Sequence, residues 1–193
     1  RILATFSGAP SVVYDAVAGA ARKKKQGRTN MRAMKFIALA ALLAVPAGCS
    51  KFQSYDGPEV TRVIVFKSER KMHLMHGTKA LETYDIALGG NPVGAKEFEG
   101  DMKTPEGAYR IDRRNPNSAY HLSLGISYPN DLDRAEAAAL GKQPGGDIFI
   151  HGRDGKNRGR GDDWTAGCIA VKDREIRKIY AMVRTGTEIH IYP

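Results

Sequence analysis

From Glu59 to Pro193 the apolar and polar positions fall into short runs bounded by turn residues, the pattern of β-strands. Val60–Phe66 and Met72–Met75 are β-rich and are separated by Lys67-Ser68-Glu69-Arg70, which predicts a hairpin. Tyr84–Leu88 is a further run, stopped by Gly89-Gly90-Asn91-Pro92, and Ala108–Asp112 and Tyr120–Ile126 predict two more strands. Asp131–Leu140 is alanine-rich and closed by Gly141, as a helix would be. Asp147–His151 reads as a buried strand, residues 152–163 as a loop of Gly, Arg and Asp, and Ile169-Ala170-Val171 as a brief apolar stretch. Asp173 is placed to cap a second helix whose apolar residues Ile176, Ile179, Tyr180 and Val183 follow the i, i+3, i+4, i+7 spacing. Gly186 ends it, and Glu188–Tyr192 alternates as a last strand. Many short strands with two or more short helices predict one mainly β domain over residues 59–193, a sandwich or barrel-like body without internal repeats.

The segment before that domain has a different character. Residues 1–30 show no sustained periodicity and carry Arg22-Lys23-Lys24-Lys25. They are expected to lie outside the fold, as a spurious or disordered extension upstream of a start at Met31 or Met34, with a true basic arm as the other reading. Residues 31–48 have the layout of a secretory signal: Arg32 and Lys35, the apolar run Phe36–Val45, then Pro46-Ala47-Gly48 before Cys49. This layout resembles a bacterial lipoprotein signal, which implies lipidation of Cys49 and an anchor in the outer or inner membrane. Pro46 stands where such signals usually carry an aliphatic residue. Residues 49–58 then read as a tether, and the domain is expected in the periplasm or cell envelope.

Charge removes one class of function. The net charge is +9, but residues 1–30 hold +5 of it and residues 31–48 another +2. The expected domain is nearly neutral, so no nucleic-acid partner is expected. A composition 42% hydrophobic and 26% charged is that of an ordinary globular chain, and two cysteines do not make a disulfide scaffold.

Five histidines and Cys168 are the candidates for chemistry. His151 ends an apolar strand and Cys168 sits in the turn Thr165-Ala166-Gly167-Cys168, with the polar loop between them. A strand-end imidazole facing a turn thiol across such a loop could take its proton and leave a thiolate to attack a carbonyl. Gly167 would let backbone N–H groups approach a developing oxyanion. Two other readings stay open from spacing alone: a structural cysteine beside a satisfied histidine, and a disulfide between Cys49 and Cys168. His73 and His76 fall on opposite faces of a strand, so no metal site is expected there. His121, beside Tyr120, either sits near the cleft or packs, and His190 alternates with Ile189 and Ile191. Arg153, Arg158 and Arg160 make the loop either a solvated segment or a lid that grips substrate carboxylates. Trp164 is placed to pin its base.

These residues resemble a known family. Ile150-His151-Gly152 with Trp164-Thr165-Ala166-Gly167-Cys168-Ile169 is similar to the catalytic motif of the L,D-transpeptidases of YkuD-like fold. Asp101-Met102-Lys103-Thr104-Pro105-Glu106-Gly107 resembles the D-x-x-T-P-x-G segment that precedes it. Tyr120–Leu124, Ser127–Asn130 and Pro144–Ile148 look like one Gram-negative branch. The resemblance implies a β-rich domain that cuts a peptidoglycan stem peptide after its third residue and passes the acyl group to an amine. It implies Cys168 as nucleophile, His151 as acid/base and the Gly152 carbonyl as its orienting partner. It further implies the backbone N–H groups of Gly167 and Cys168 as oxyanion donors, and Thr165, His121 and the loop arginines as substrate contacts. Neither cofactor nor metal is implied. Ala166 and Ala170 replace the His and Arg of many members, which leaves the usual carboxylate contact without its residue.

The leading expectation is therefore a cysteine-dependent transpeptidase of the cell wall, with a second stem peptide or an amine-bearing envelope protein as acceptor. A peptidase or amidase using water at the same site, and an inactive peptidoglycan-binding module, are the competing readings.

Overall fold

The computed structural model describes residues 50–155 and 163–193. The expected extension 1–30, the signal 31–48, Cys49, Arg158 and Arg160 lie outside the described residues. Strands and helices follow one another as β1 (Arg62–Phe66), β2 (Lys71–His76), β3 (Lys79–Asp85), β4 (Leu88–Gly89), β5 (Gly107–Asn115), β6 (Ser123–Ile126), α1 (Asp131–Ala139), β7 (Phe149–His151), β8 (Asp163–Thr165), β9 (Ile169–Ala170), α2 (Asp173–Met182) and β10 (Glu188–Tyr192). Among the described residues no helix is long and apolar enough to cross a membrane.

The larger sheet has the order β3-β2-β1-β10-β5-β6-β7-β9, and β4 pairs with β8. Strand β10 comes from the end of the chain into the middle, parallel to β1 with Val63 opposite Ile189, and antiparallel to β5. Ala87, just past edge strand β3, forms an antiparallel bridge with Ala170 of the opposite edge strand β9. Two bonds of 2.8 Å, Ala87 N–H to Ala170 O and Ala170 N–H to Ala87 O, make it. The sheet therefore curls until its two edges meet, the barrel-like outcome expected for short strands that would otherwise leave open edges.

Alternation fills the interior. Val63 and Val65 of β1, Leu74 of β2, Leu124 of β6, Ile150 of β7 and Ile189 of β10 are all fully buried. Each contributes about 1.5–3 kcal/mol through removal from water. Helix α2 adds Ile176, Ile179 and Val183 to the same core, as its spacing requires. Helix α1 is held at its start by Asn130, which accepts from the N–H groups of Leu132 and Asp133 while the Asp133 carboxylate accepts from Asn130 N–H.

The hairpin, both helices and β10 lie where the pattern predicts them. Elsewhere the boundaries move for local reasons. Tyr84–Leu88 is divided between β3 and β4 by Ile86 and Ala87, because Ala87 pairs across to β9. Strand β6 begins at Ser123, since His121 takes a left-handed conformation (φ +79) that breaks the extended run. Strand β7 begins at Phe149, after Asp147 at φ +55. Asp173 is not the cap of α2: Lys172 holds that position, its N–H donating to the Glu175 carboxylate at 3.0 Å, and Asp173 is turned to another use.

The segment between β4 and β5 is fixed by buried charge. Lys96 and Asp101, each side chain 3% exposed, pair at 2.8 Å. The Asp101 carboxylate also accepts from the N–H groups of Glu97, Phe98 and Lys103. Burial alone would raise the pKa of Asp101, but Lys96 and these three donors outweigh it and hold the carboxyl below its ordinary value. Lys67, 2% exposed, ties the same segment to β1 through Glu106 and the carbonyls of Gly94 and Thr104. Met102 and Lys103 thereby come to stand beside the turn that carries Cys168.

Candidate active site

Strand register brings the two candidate catalytic side chains together. β7 and β9 are parallel, with Ile150 opposite Ile169 and His151 opposite Ala170. Cys168 enters β9 one residue before Ile169 and so falls beside Phe149. Residues 149 and 151 share one face of β7, the face opposite to buried Ile150. On the other side of β7, His151 registers with Ser123 of β6, and Ser123 with Asn115 of β5. Asn115, Ser123 and His151 form one row across the sheet.

That row lines a cavity of about 430 Å³, together with Met102, Ser118, Tyr120, Asp147, Phe149, Trp164, Thr165, Ala166 and Cys168. The imidazole of His151 is enclosed by rings. Its centroid lies 4.5 Å from that of Tyr120 and 5.9 Å from that of Trp164, the latter edge-on. Trp164 and Tyr120 thus wall the histidine as well as the base of the loop.

His151 is 4% exposed and its Nδ1 lies 2.6 Å from the Gly152 carbonyl oxygen. A carbonyl can only accept, so Nδ1 carries the proton and Nε2 presents a lone pair. Burial holds the imidazole below its ordinary pKa, the Gly152 bond opposing this and the Arg153 charge adding to it. Cys168 is a free, half-buried cysteine whose thiol donates to the Asp147 carbonyl at 3.4 Å. Burial pushes this thiol up, with Asp147 adding to the rise and a backbone bond from Phe149 and the Lys96 charge opposing it. Burial thus works against charge on both groups, favouring the thiol on Cys168 and the neutral ring on His151. The alkylation rate of Cys168 by iodoacetamide is accordingly expected to climb only on the alkaline side, with a midpoint above the ordinary thiol value of about 8.5. A rate already level at pH 6 would mean a preformed ion pair.

The turn before Cys168 is built by Thr165. Its hydroxyl donates to the Cys168 carbonyl at 2.7 Å and accepts from Gly167 N–H at 3.1 Å. The Gly167 N–H, expected to face an oxyanion, is bonded to Thr165 instead, while Thr165, 4% exposed, holds the turn and also lines the cavity. Gly167 has φ +127, and a Cβ there would lie 2.6 Å from the Lys103 carbonyl oxygen. Gly167→Ala is expected to lose at least about 1–3 kcal/mol from the conformation alone, read as a lower urea midpoint.

The remaining expected contacts separate. The described lining of the cavity contains neither His121 nor Arg153. The Arg153 guanidinium stands over the Trp164 ring, 5.7 Å from its centroid. Ala170 is fully buried and paired with Ala87. His73 meets Thr83 Oγ1 and His76 the Glu59 carbonyl, each at 2.8 Å. Asn115, Ser123, Phe149 and Tyr120 carry no site role in the sequence reading, although Tyr120 and Ser123 fall within the Tyr120–Leu124 motif. Only the period-two rule applied across paired strands could have found the first three, and it needs the register.

With this geometry in hand, comparisons with known proteins are informative. The L,D-transpeptidase catalytic domain family (YkuD) matches residues 60–191. The chain is similar to YafK of Escherichia coli (strain K12), a candidate L,D-transpeptidase, at 29% identity over 142 residues, covering 67% of this chain and 52% of that one. The structure is similar to that of Pgp2, a helical cell shape determining protein from Campylobacter jejuni, with a TM-score of 0.56 and 27% identity, covering 81% of this chain and 54% of that one. Bd1075 of Bdellovibrio bacteriovorus shares the fold at a TM-score of 0.51 and 22% identity, covering 73% and 50%. The chain spans about half the length of the curated relatives it matches.

Proposed function

Since the chain belongs to the YkuD family of L,D-transpeptidase catalytic domains, we propose that its domain of residues 59–193 is a cysteine acyltransferase acting on peptidoglycan stem tetrapeptides. The observation that carries this is the shared cavity of His151 and Cys168, with the imidazole's Nδ1 committed to the Gly152 carbonyl. Nε2 is then the basic atom, the one left to take the thiol proton.

In the proposed reaction the Cys168 sulfur attacks the carbonyl of the third residue while its proton passes to His151 Nε2. The negative oxygen is met by the Cys168 backbone N–H. Collapse breaks the C–N bond, the departing amine takes the proton from His151, and a thioester remains. An acceptor amine gives up a proton to His151 as it attacks the thioester, and the sulfur leaves with that proton. The uncharged resting pair suits this sequence, because charge then develops only as substrate fills the cavity and excludes water. The acceptor is a second stem peptide or an envelope protein amine.

The test is incubation of the protein with stem-tetrapeptide muropeptides, with products identified by mass. Cross-linked or amine-exchanged products support the proposal. A shortened tripeptide alone means that water is the acceptor, and binding without turnover means a wall-binding module.

Export completes the reading. Residues 31–48 act as signal, Cys49 carries lipid and residues 49–58 tether the domain at the envelope membrane. Mass spectrometry of the membrane fraction is expected to find a diacylated Cys49 peptide, and an unmodified Cys49 in soluble protein would overturn that assignment.

A further inference from the structure

Asp173 is the residue whose position is explained neither by helix capping nor by the reaction above. It opens α2, close behind Cys168 in the chain, yet its carboxylate faces the segment that follows His151. Oδ1 accepts from Arg153 N–H at 2.6 Å and from Asp154 N–H at 2.9 Å, and Oδ2 accepts from Gly155 N–H at 3.0 Å. The carboxyl lies below its ordinary pKa: burial raises it, but these three N–H donors and the His121 charge outweigh that. Asp154 (φ +48) and Gly155 (φ +67) both take left-handed conformations, so the carboxylate gathers a backbone turn that would not form unaided. The fit is tight, since a Cβ on Gly152 would lie 2.7 Å from Asp173 Oδ1.

One of these donors matters for the imidazole. Arg153 N–H and the Gly152 carbonyl belong to the same peptide unit, which is planar, with C=O and N–H pointing in opposite directions when trans. Asp173 pulls the N–H end at 2.6 Å, and the carbonyl end is thereby aimed at His151 Nδ1, also at 2.6 Å. A rotation of this peptide would break both bonds together. A carboxylate on the N–H also polarises the amide and makes its oxygen a better acceptor. The rest of the segment is held independently: His151 O accepts from Val171 N–H and Gly152 N–H donates to Leu122 O. The Gly152–Arg153 peptide is thus held at its N–H end by Asp173.

We propose that Asp173 is a positioning residue that fixes the tautomer and orientation of His151 through the Gly152–Arg153 peptide. It does through one amide what the carboxylate of a Ser-His-Asp triad does by direct contact. The proposal rests on the reading of His151 as the acid/base, but its central consequence is measurable without substrate. In full-length protein with 15N-labelled histidine, the His151 signals, assigned by their loss in His151→Gln, are expected to show a protonated Nδ1 with a slowly exchanging proton. In Asp173→Ala that proton is expected to exchange rapidly and the second tautomer to appear. Asp173→Asn, which keeps an oxygen for Arg153 N–H, is expected to restore the wild-type signals. If the alanine variant does not fold, Asp173→Ser, a good helix-start residue whose hydroxyl is too short to reach Arg153, gives the same comparison. On muropeptides, kcat is expected to fall about 100-fold in the alanine or serine variant with KM little changed, the scale for a misplaced catalytic group. Unchanged His151 signals in a folded alanine or serine variant would overturn the proposal and leave Asp173 a structural residue. Absence of turnover by the wild type would overturn the functional reading, while the histidine signals would still decide the role of Asp173.

Discussion

Cys168→Ser is expected to abolish turnover of stem peptides while leaving the fold intact. Serine is nearly the shape of cysteine, and the half-buried thiol donates a long bond to the Asp147 carbonyl that a hydroxyl can also make. What changes is the nucleophile. An alcohol beside a neutral imidazole is far harder to deprotonate than a thiol, and nothing in the described cavity compensates: Asp147 is the only carboxylate in its lining, and it is paired with Arg113 at 2.8 Å. Steady-state turnover by mass-resolved product analysis is the measurement. A carbapenem-type acylating agent, chosen from the family resemblance, is expected to add its mass to the wild type and not to the serine variant. Near-normal turnover by Cys168→Ser, or an adduct at another residue, would remove Cys168 as the nucleophile and favour a wall-binding module.

His151→Gln is expected to lower kcat by about 10² to 10⁴, the range for losing general acid–base help. Glutamine can still donate to the Gly152 carbonyl, so the loop after β7 is expected to survive, but its amide cannot take a thiol proton. The double variant is expected to cost little more than Cys168→Ser alone, because two groups that move one proton act as a unit. Additive losses would show that they work separately.

Some of this organisation was legible along the chain because it is local. The Lys67–Arg70 hairpin, the spacing of Ile176, Ile179 and Val183, and the stop at Gly141 each depend on residues within a few positions of one another. The candidate pair was legible for a different reason: His151-Gly152 and Thr165–Cys168 fall in short motifs that resemble those of a known family. Other features needed distant partners. Tyr84–Leu88 reads as one strand, yet Ala87 pairs with Ala170, and no local rule contains that partner. Thr165 and Gly167 read as substrate and oxyanion contacts until the hydroxyl is found bonded to the turn itself.

By itself, then, the sequence determined which residues alternate and where the chain turns, since these follow from residue type and short-range spacing, and it offered His151 and Cys168 as candidates through their resemblance to a known motif. Tertiary structure decided what those residues face. The parallel pairing of β7 with β9 sets His151 and Cys168 on one wall, and the row Asn115–Ser123–His151 comes from the registers of β5 with β6 and of β6 with β7. Burial, which only the assembled fold supplies, shifts the thiol and the imidazole toward their uncharged forms. The clearest case is Asp173, which in sequence looks like a helix cap. In space its carboxylate reaches twenty residues back to Arg153 N–H, because a hydrogen bond depends on distance and direction and not on separation along the chain.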